Sequence, residues 1–240
     1  MKKFSISILI LILAFVYSAG AKNYKAAIAE LPNTDYFVKL LKGIGEETNN
    51  TFEVEVVPKS RSIYLIEAKQ VDLQCPQVEV PNPKMISDAK YDFSTTVTFN
   101  VAMVLYTNKK KPISVEELKA GNQKKYLIET ETANASYFNF PISPSRSIEA
   151  SLQKVNSGMI DGYIYTQSST DKILKTLALK DVKRQKYDFY PSKFTLQKGA
   201  KGGELDKVLT DGINKMKANG KYDAIMGGLV KSGEYVDWQP

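Results

Sequence analysis

Apolar positions along the chain recur with two alternating periods. "NYKAAIAEL", Asn23 to Leu31, has the run of a short buried strand and ends at Pro32-Asn33. Phe37, Leu40, Leu41 and Ile44 then follow the i, i+3, i+4, i+7 spacing of a helix face, with Thr34 or Asp35 as its cap and Asn49-Asn50 as its end. "FEVEVVP" alternates as a strand does and stops at Pro58. Ser60 or Ser62 can open a second helix carrying Ile63, Leu65 and Ile66, and "VDLQCP" reads as a third strand. This β-α-β-α-β order predicts a parallel sheet covered by helices.

The next stretch, Ala89 to Lys110, becomes a near-continuous run of β-formers from Val97 to Tyr106. Beyond it the pattern restarts. "KKYLIET" is a strand, a capped helix is expected from about Ala133, "SIEASLQKVNSG" is an amphipathic helix ended by Ser157-Gly158, "MIDGYIY" is a strand and "TDKILKTLAL" a helix. "KYDFYPSKFTL" is a returning strand, and the remainder is helical, with Asn219-Gly220 as a C-terminal stop. Two α/β units with one strand leading out and one leading back predict two lobes, the chain leaving the first near Phe99 and re-entering near Tyr190. The tetrapeptide Lys-Tyr-Asp-Phe occurs before each crossing, at Lys90 and at Lys186; chance accounts for it as well as structure does.

Composition narrows the chemistry. Histidine is absent from the 240 residues, and Cys75 is the sole cysteine. His-based triads, His-metal sites and closed zinc sites are thereby excluded within this chain. A lone cysteine forms no internal disulfide, and Cys75 reads as a small buried hydrophobe. No metal or other cofactor is expected. The net charge of +7 comes from scattered lysines, with a cluster at Lys109-Lys110-Lys111 and no basic stripe interleaved with aromatics, so nucleic acid is not an expected partner.

At the N-terminus Lys2 and Lys3 precede an apolar run from Phe4 to Tyr17 and a small-residue site at Ala19-Gly20-Ala21. That is the layout of a cleavable signal peptide over residues 1–21, the run being shorter than the roughly 20 residues of a membrane span. A periplasmic or secreted monomer is the expectation.

Three segments carry a family resemblance: "VDLQCP" followed by a loop and "AKYDFSTTV", then "SGMIDGYIY", then "LTDGINKMKANGKYDAIM". In order and spacing they resemble the type II periplasmic solute-binding proteins, specifically the family-3 extracellular solute-binding domain. The resemblance covers essentially the whole chain after residue 21. It implies an α/β fold of two lobes, each a mixed or parallel sheet flanked by helices, joined by two crossing strands that act as a hinge. The divisions it implies are 22–100 with 191–240 for the first lobe and 101–190 for the second. It further implies capture of a small solute between the lobes for a membrane transporter, or for a membrane sensor; a few relatives on this scaffold catalyse eliminations with cleft carboxylates, which leaves Glu30, Glu79 and Glu131 as possible general bases.

Ligands of open α/β sheets sit beyond the carboxyl ends of the strands, near helix N-termini. By that rule the candidate ligand-binding residues are Tyr36, Arg61, Gln77, Asn100, Glu131, Thr132, Tyr165 and Thr166, with no catalytic residue expected. Each has a plainer reading: Arg61 as a solvated helix-start cation, Tyr36, Phe99 and Tyr165 as packing, Gln77, Asn100 and Thr132 as turn polarity, Glu131 as a helix-start charge. Departures from the family pattern bear on the solute. Amino-acid binders place a carboxylate-clamping arginine where Ser87 stands here, an ammonium-binding aspartate where Thr166 stands, and a glycine where Glu131 stands. No arginine lies between Arg61 and Arg146. The resemblance therefore implies the scaffold without the zwitterion clamp, and a less charged polar organic solute rather than a standard α-amino acid.

Overall fold

A computed structural model describes residues 20–120 and 125–240. The expected signal peptide, residues 1–21, therefore falls outside the described residues except for its last two. Among the described residues no helix is long and apolar enough to cross a membrane.

Eight strands form one sheet in the order β2-β1-β3-β8-β4-β7-β5-β6. In the first unit β1 (Asn23–Ala29) pairs in parallel with β2 (Thr51–Val57) and β3 (Leu73–Val78). Helices α1 (Thr34–Thr48) and α2 (Lys59–Glu67) connect them. In the second unit β5 (Ile128–Glu131) pairs in parallel with β6 (Ser143–Ser145) and β7 (Gly162–Thr166), with α5 (Ile148–Ser157) before β7 and α6 (Gln167–Leu177) after it. Two short helices, α3 (Pro83–Asp88) and α4 (Val115–Lys119), flank the strand that leads out.

That strand, β4 (Tyr91–Asn108), and the returning β8 (Val182–Gln197) run antiparallel through the middle of the sheet. β8 joins the first unit through its end, Val78 opposite Ser192 and Leu73 opposite Leu196. β4 joins the second through its own end, Met103 opposite Thr166 and Thr107 opposite Gly162. Their shared ladder shifts register between Phe93 and Val97, between Val97 and Phe99 and between Met103 and Val104. Bulges bend a strand and increase its twist, so the sheet turns where the two units meet.

The apolar interiors follow the same division. One cluster is built on Phe37, Leu40, Leu41, Ile44, Phe194, Leu209, Ile213 and Met216, from β1, α1, β8 and α7 (Glu204–Ala218). Two others, one around Met103, Ile128 and Ile164 and one around Val104, Leu152 and Leu174, lie mainly in the second unit, the former also taking in Val80 from just after β3. α8 (Lys221–Gly233) ends the first interior with Tyr222, Met226 and Leu229. Tyr235 and Trp238 beyond it pack instead on the second-unit cluster of Val104 and Leu174.

Three local expectations differ from the structure. The helix expected from Ala133 is a six-residue 3-10 turn, Thr132–Tyr137. Its sequence TANASY lacks the apolar spacing that would bury a longer helix. α2 begins at Lys59 behind Pro58, with no side-chain cap; Ser62 turns inward and donates to the Lys59 carbonyl at 2.9 Å. β4 also starts earlier than the β-former run, because the polar segment from Tyr91 finds ladder partners on β8 at Gln197, Leu196 and Thr195.

Candidate functional site: a cleft at the sheet's turn

The turn of the sheet leaves a cleft of about 490 Å3, within the range of small-molecule sites. Its first wall comes from the β1–α1 connection (Leu31, Asn33), Tyr36 in the first turn of α1, Lys59 at the start of α2, and Gln77 on β3. The crossing strands supply the floor with Phe99 and Ser192. Tyr165, Thr166, Ser168 and Ser169 at the β7–α6 junction form the opposite wall, and Gly228 and Ser232 of α8 close one side. Strand ends and helix starts converge here because parallel β-α units place every strand's carboxyl end and the next helix's N-terminus on one side of the sheet.

Two buried side-chain atoms distinguish this cleft. Gln77 Oε1 and Ser192 Oγ have no hydrogen-bond partner among the described residues, and the two residues are 5% and 0% exposed. A buried oxygen left unmatched costs roughly 1–3 kcal/mol of desolvation, so such atoms on residues that line a cavity suit a group arriving from outside.

The helix starts are likewise open. Asn33 before α1 and Thr166 before α6 make no side-chain cap, although both are residue types that commonly do. Lys59 carries the cleft's only charge among its lining residues. Burial pushes its ammonium pKa down, and the Glu131 carboxylate opposes that shift. Tyr165 has its phenol pKa raised, first by burial and then by Glu131.

The structure brings four of the expected residues together at this cleft: Tyr36, Gln77, Tyr165 and Thr166. Tyr36 lies against α8, where a Cβ added at Gly228 would stand 3.0 Å from its hydroxyl. The other four lie elsewhere. Arg61 lines a separate depression with Glu53 and Glu55 of β2 and Lys25 of β1, because it falls two positions into α2 and so faces away from the helix start. Asn100 lines a depression with Phe189 and Tyr235, and its main-chain carbonyl lies under Gly233. Thr132 is exposed and donates to the Ser145 carbonyl at 3.0 Å, tying the ends of β5 and β6. Glu131, at the end of β5, is half-buried and does not line the cleft, but its charge acts on Lys59 and Tyr165. Phe99 lines the floor and also packs on Phe37, ring centroids 6.2 Å apart. Ser87, at the position of the family's arginine, sits exposed on α3 and donates to the Lys84 carbonyl.

Sequence reasoning places Lys59 among the helix-start candidates without naming it as a ligand, and does not single out Ser168, Ser169 or Ser192. Ser168 and Ser169 could be found by counting from a correctly placed helix start. Ser192 could not, because the face it presents depends on the bulged register of β8 against β3 and β4.

No known family profile matches the sequence, and no curated protein does. Solved structures do match in fold. A histidine kinase sensor domain with similarity to periplasmic binding proteins aligns at a TM-score of 0.57 and 13% identity, covering 88% of this chain and 95% of that one. The substrate-binding protein of an amino acid ABC transporter aligns at 0.55 and 17%, covering 87% and 99%. ArtJ, the arginine-, lysine-, histidine-binding protein from Geobacillus stearothermophilus, aligns at 0.56 and 14%, covering 90% and 98%. The chain has the two-lobed α/β fold of the periplasmic binding proteins.

Proposed function

We propose that this protein captures a small polar organic solute in the cleft and presents it to a membrane transporter from the periplasm, as a monomer. The observation that carries the reading is the pair of buried, unmatched oxygens on Gln77 and Ser192, two residues that line a cavity at the junction of the two halves. A solute that contacts both halves stabilises the closed state by its differential affinity for it. The halves are 22–100 with 191–233, and 101–190 with the tail 234–240 resting upon it. Binding draws on Tyr36, Lys59, Gln77, Tyr165, Thr166, Ser168, Ser169 and Ser192.

Presentation to a membrane sensor is the second reading, favoured by the likeness to a histidine kinase sensor domain. An elimination catalysed by a cleft carboxylate has less support, since no Asp or Glu is among the described residues lining the cleft. Ser87 and Thr166, in place of the clamp residues, argue that glutamate, histidine, arginine and glutamine bind weakly.

Native mass spectrometry of the undenatured protein, purified from a periplasmic fraction, tests capture directly. A stoichiometric small-molecule adduct that raises the melting temperature by mass action is the expected result. Intact mass of the same sample reports whether residues 1–21 have been removed. A protein that carries nothing and whose melting point does not respond to a solute library is an inert scaffold.

A further inference from the structure

The cleft's charge pattern bears on the class of solute. Lys59 stands in the first turn of α2, where the helix macrodipole already disfavours a cation. It is half-buried and, among the described residues, makes no salt bridge. From the other wall comes the start of α6, an 11-residue helix whose first-turn residues Ser168 and Ser169 line the same cleft. First-turn N–H groups have no acceptor within their own helix, and here no side chain caps them. A cation held against its own helix and an uncapped helix start facing one cavity are both relieved by a negative group. The unmatched oxygens add a second requirement. Gln77 Oε1 is solely an acceptor and calls for a donor, while the Ser192 hydroxyl can give or take. Tyr36 and Tyr165 offer apolar faces to whatever lies between. No carboxylate lines the cleft among the described residues, so no anionic side chain there balances the charge of an ammonium group.

Resting on the capture reading above, we infer that the solute is an organic acid without an amino group: its carboxylate is held by Lys59 and the first turn of α6, and a hydroxyl or amide donor on it meets Gln77. This sharpens the expectation of a weakly charged solute into one with a single negative end. Glu131 is the internal competitor for Lys59, since its charge already acts on that ammonium.

Matched pairs of acid and primary amide separate charge from shape: para-hydroxybenzoate with para-hydroxybenzamide, and lactate with lactamide. Calorimetry and thermal shift on the full chain should show at least one acid binding about tenfold or more tighter than its amide, an advantage of about 1.4 kcal/mol. Added salt should weaken the acid and leave the amide unchanged. K59Q should remove the acid's advantage while its ligand-free melting temperature stays close to that of the parent. E131Q, which frees Lys59 from its competitor, should tighten the acid. Equal binding of acid and amide, or an undiminished advantage in K59Q, overturns the anionic solute and leaves solute capture standing. Absence of any response to either pair, in a protein that also carries no adduct, overturns both.

Discussion

A single oxygen decides more here than a charged side chain does. Arg61 is the more conspicuous residue in the sequence, yet it lies away from the cleft, beside Glu53 and Glu55 of β2 and Lys25 of β1. Arg61→Ala is therefore expected to leave solute affinity unchanged by calorimetry. Ser192→Ala removes a buried hydroxyl that has no partner among the described residues. Deleting such a group sheds its desolvation cost, so the ligand-free melting temperature should hold or rise, while affinity for the copurifying solute should fall by about tenfold, the worth of one hydrogen bond. Cys75 is fully buried, and burial alone pushes its thiol pKa far up. Thiolate is the reactive form, so a disulfide reagent should label Cys75 only at the rate of unfolding; fast labelling of the native protein would contradict its placement in the β3 core. Gln77, Tyr36, Tyr165 and Thr166 were legible because each sits at or beside a strand's carboxyl end or in a helix's first turn. Ser192 was not, because a register shift sets which way it faces.

Among the elements, α8 and the crossing strand β4 approach closely. Gly233, the last residue of α8, lies directly over the Asn100 carbonyl of β4, with no room for a methyl group. The Tyr222 hydroxyl on the same helix donates to the Thr98 carbonyl. Gly233→Ala should force helix and strand apart at a cost of about 1–3 kcal/mol, read as a lowered melting temperature, whereas Gly227→Ala, where a Cβ meets nothing within 4 Å, should be tolerated. Most helices and strands were readable from periodicity, and so were the left-handed stops at Asn49 and Gly158. The early start of β4 was not, since "DFSTT" has little apolar alternation and becomes strand through its partners on β8. Nor was the 3-10 turn after β5, where cap residues are present but a buried stripe is missing.

At the scale of the whole molecule, the chain's end links the two halves a third time. Arg184 of β8 is 1% exposed and forks onto Asp171 of α6, Nε to Oδ1 at 2.8 Å and Nη2 to Oδ2 at 2.6 Å. It also donates to the Val236 and Trp238 carbonyls. Trp238 returns a hydrogen bond to Asp171 at 2.8 Å, and Gln167 bridges to Glu234 and Val236. The tail thus leaves α8 in the first half and is clamped on the second. Arg184→Ala would strand a buried aspartate, and removing one partner of such a pair costs about 3–5 kcal/mol. The expected outcome is a large drop in the denaturation midpoint, with tail residues newly open to carboxypeptidase. The sequence grouped 191–240 with the first half by continuity of the chain; the tail crosses over because a buried guanidinium needs acceptors and the main chain at 236 and 238 supplies them.

Periodicity, punctuation and the missing histidine, taken without coordinates, determined two α/β units, a strand out and a strand back, and a chemistry without His or paired cysteines. Those features depend on neighbours a few residues apart, which a linear pattern records. Which face Ser192 presents, where Arg61 points, that Lys59 is the one charge among the described residues lining the cleft and that the tail crosses between halves were decided only by tertiary structure. Each depends on ladder register or on residues tens of positions away coming into contact, and a one-residue shift in a strand reverses the side every side chain occupies.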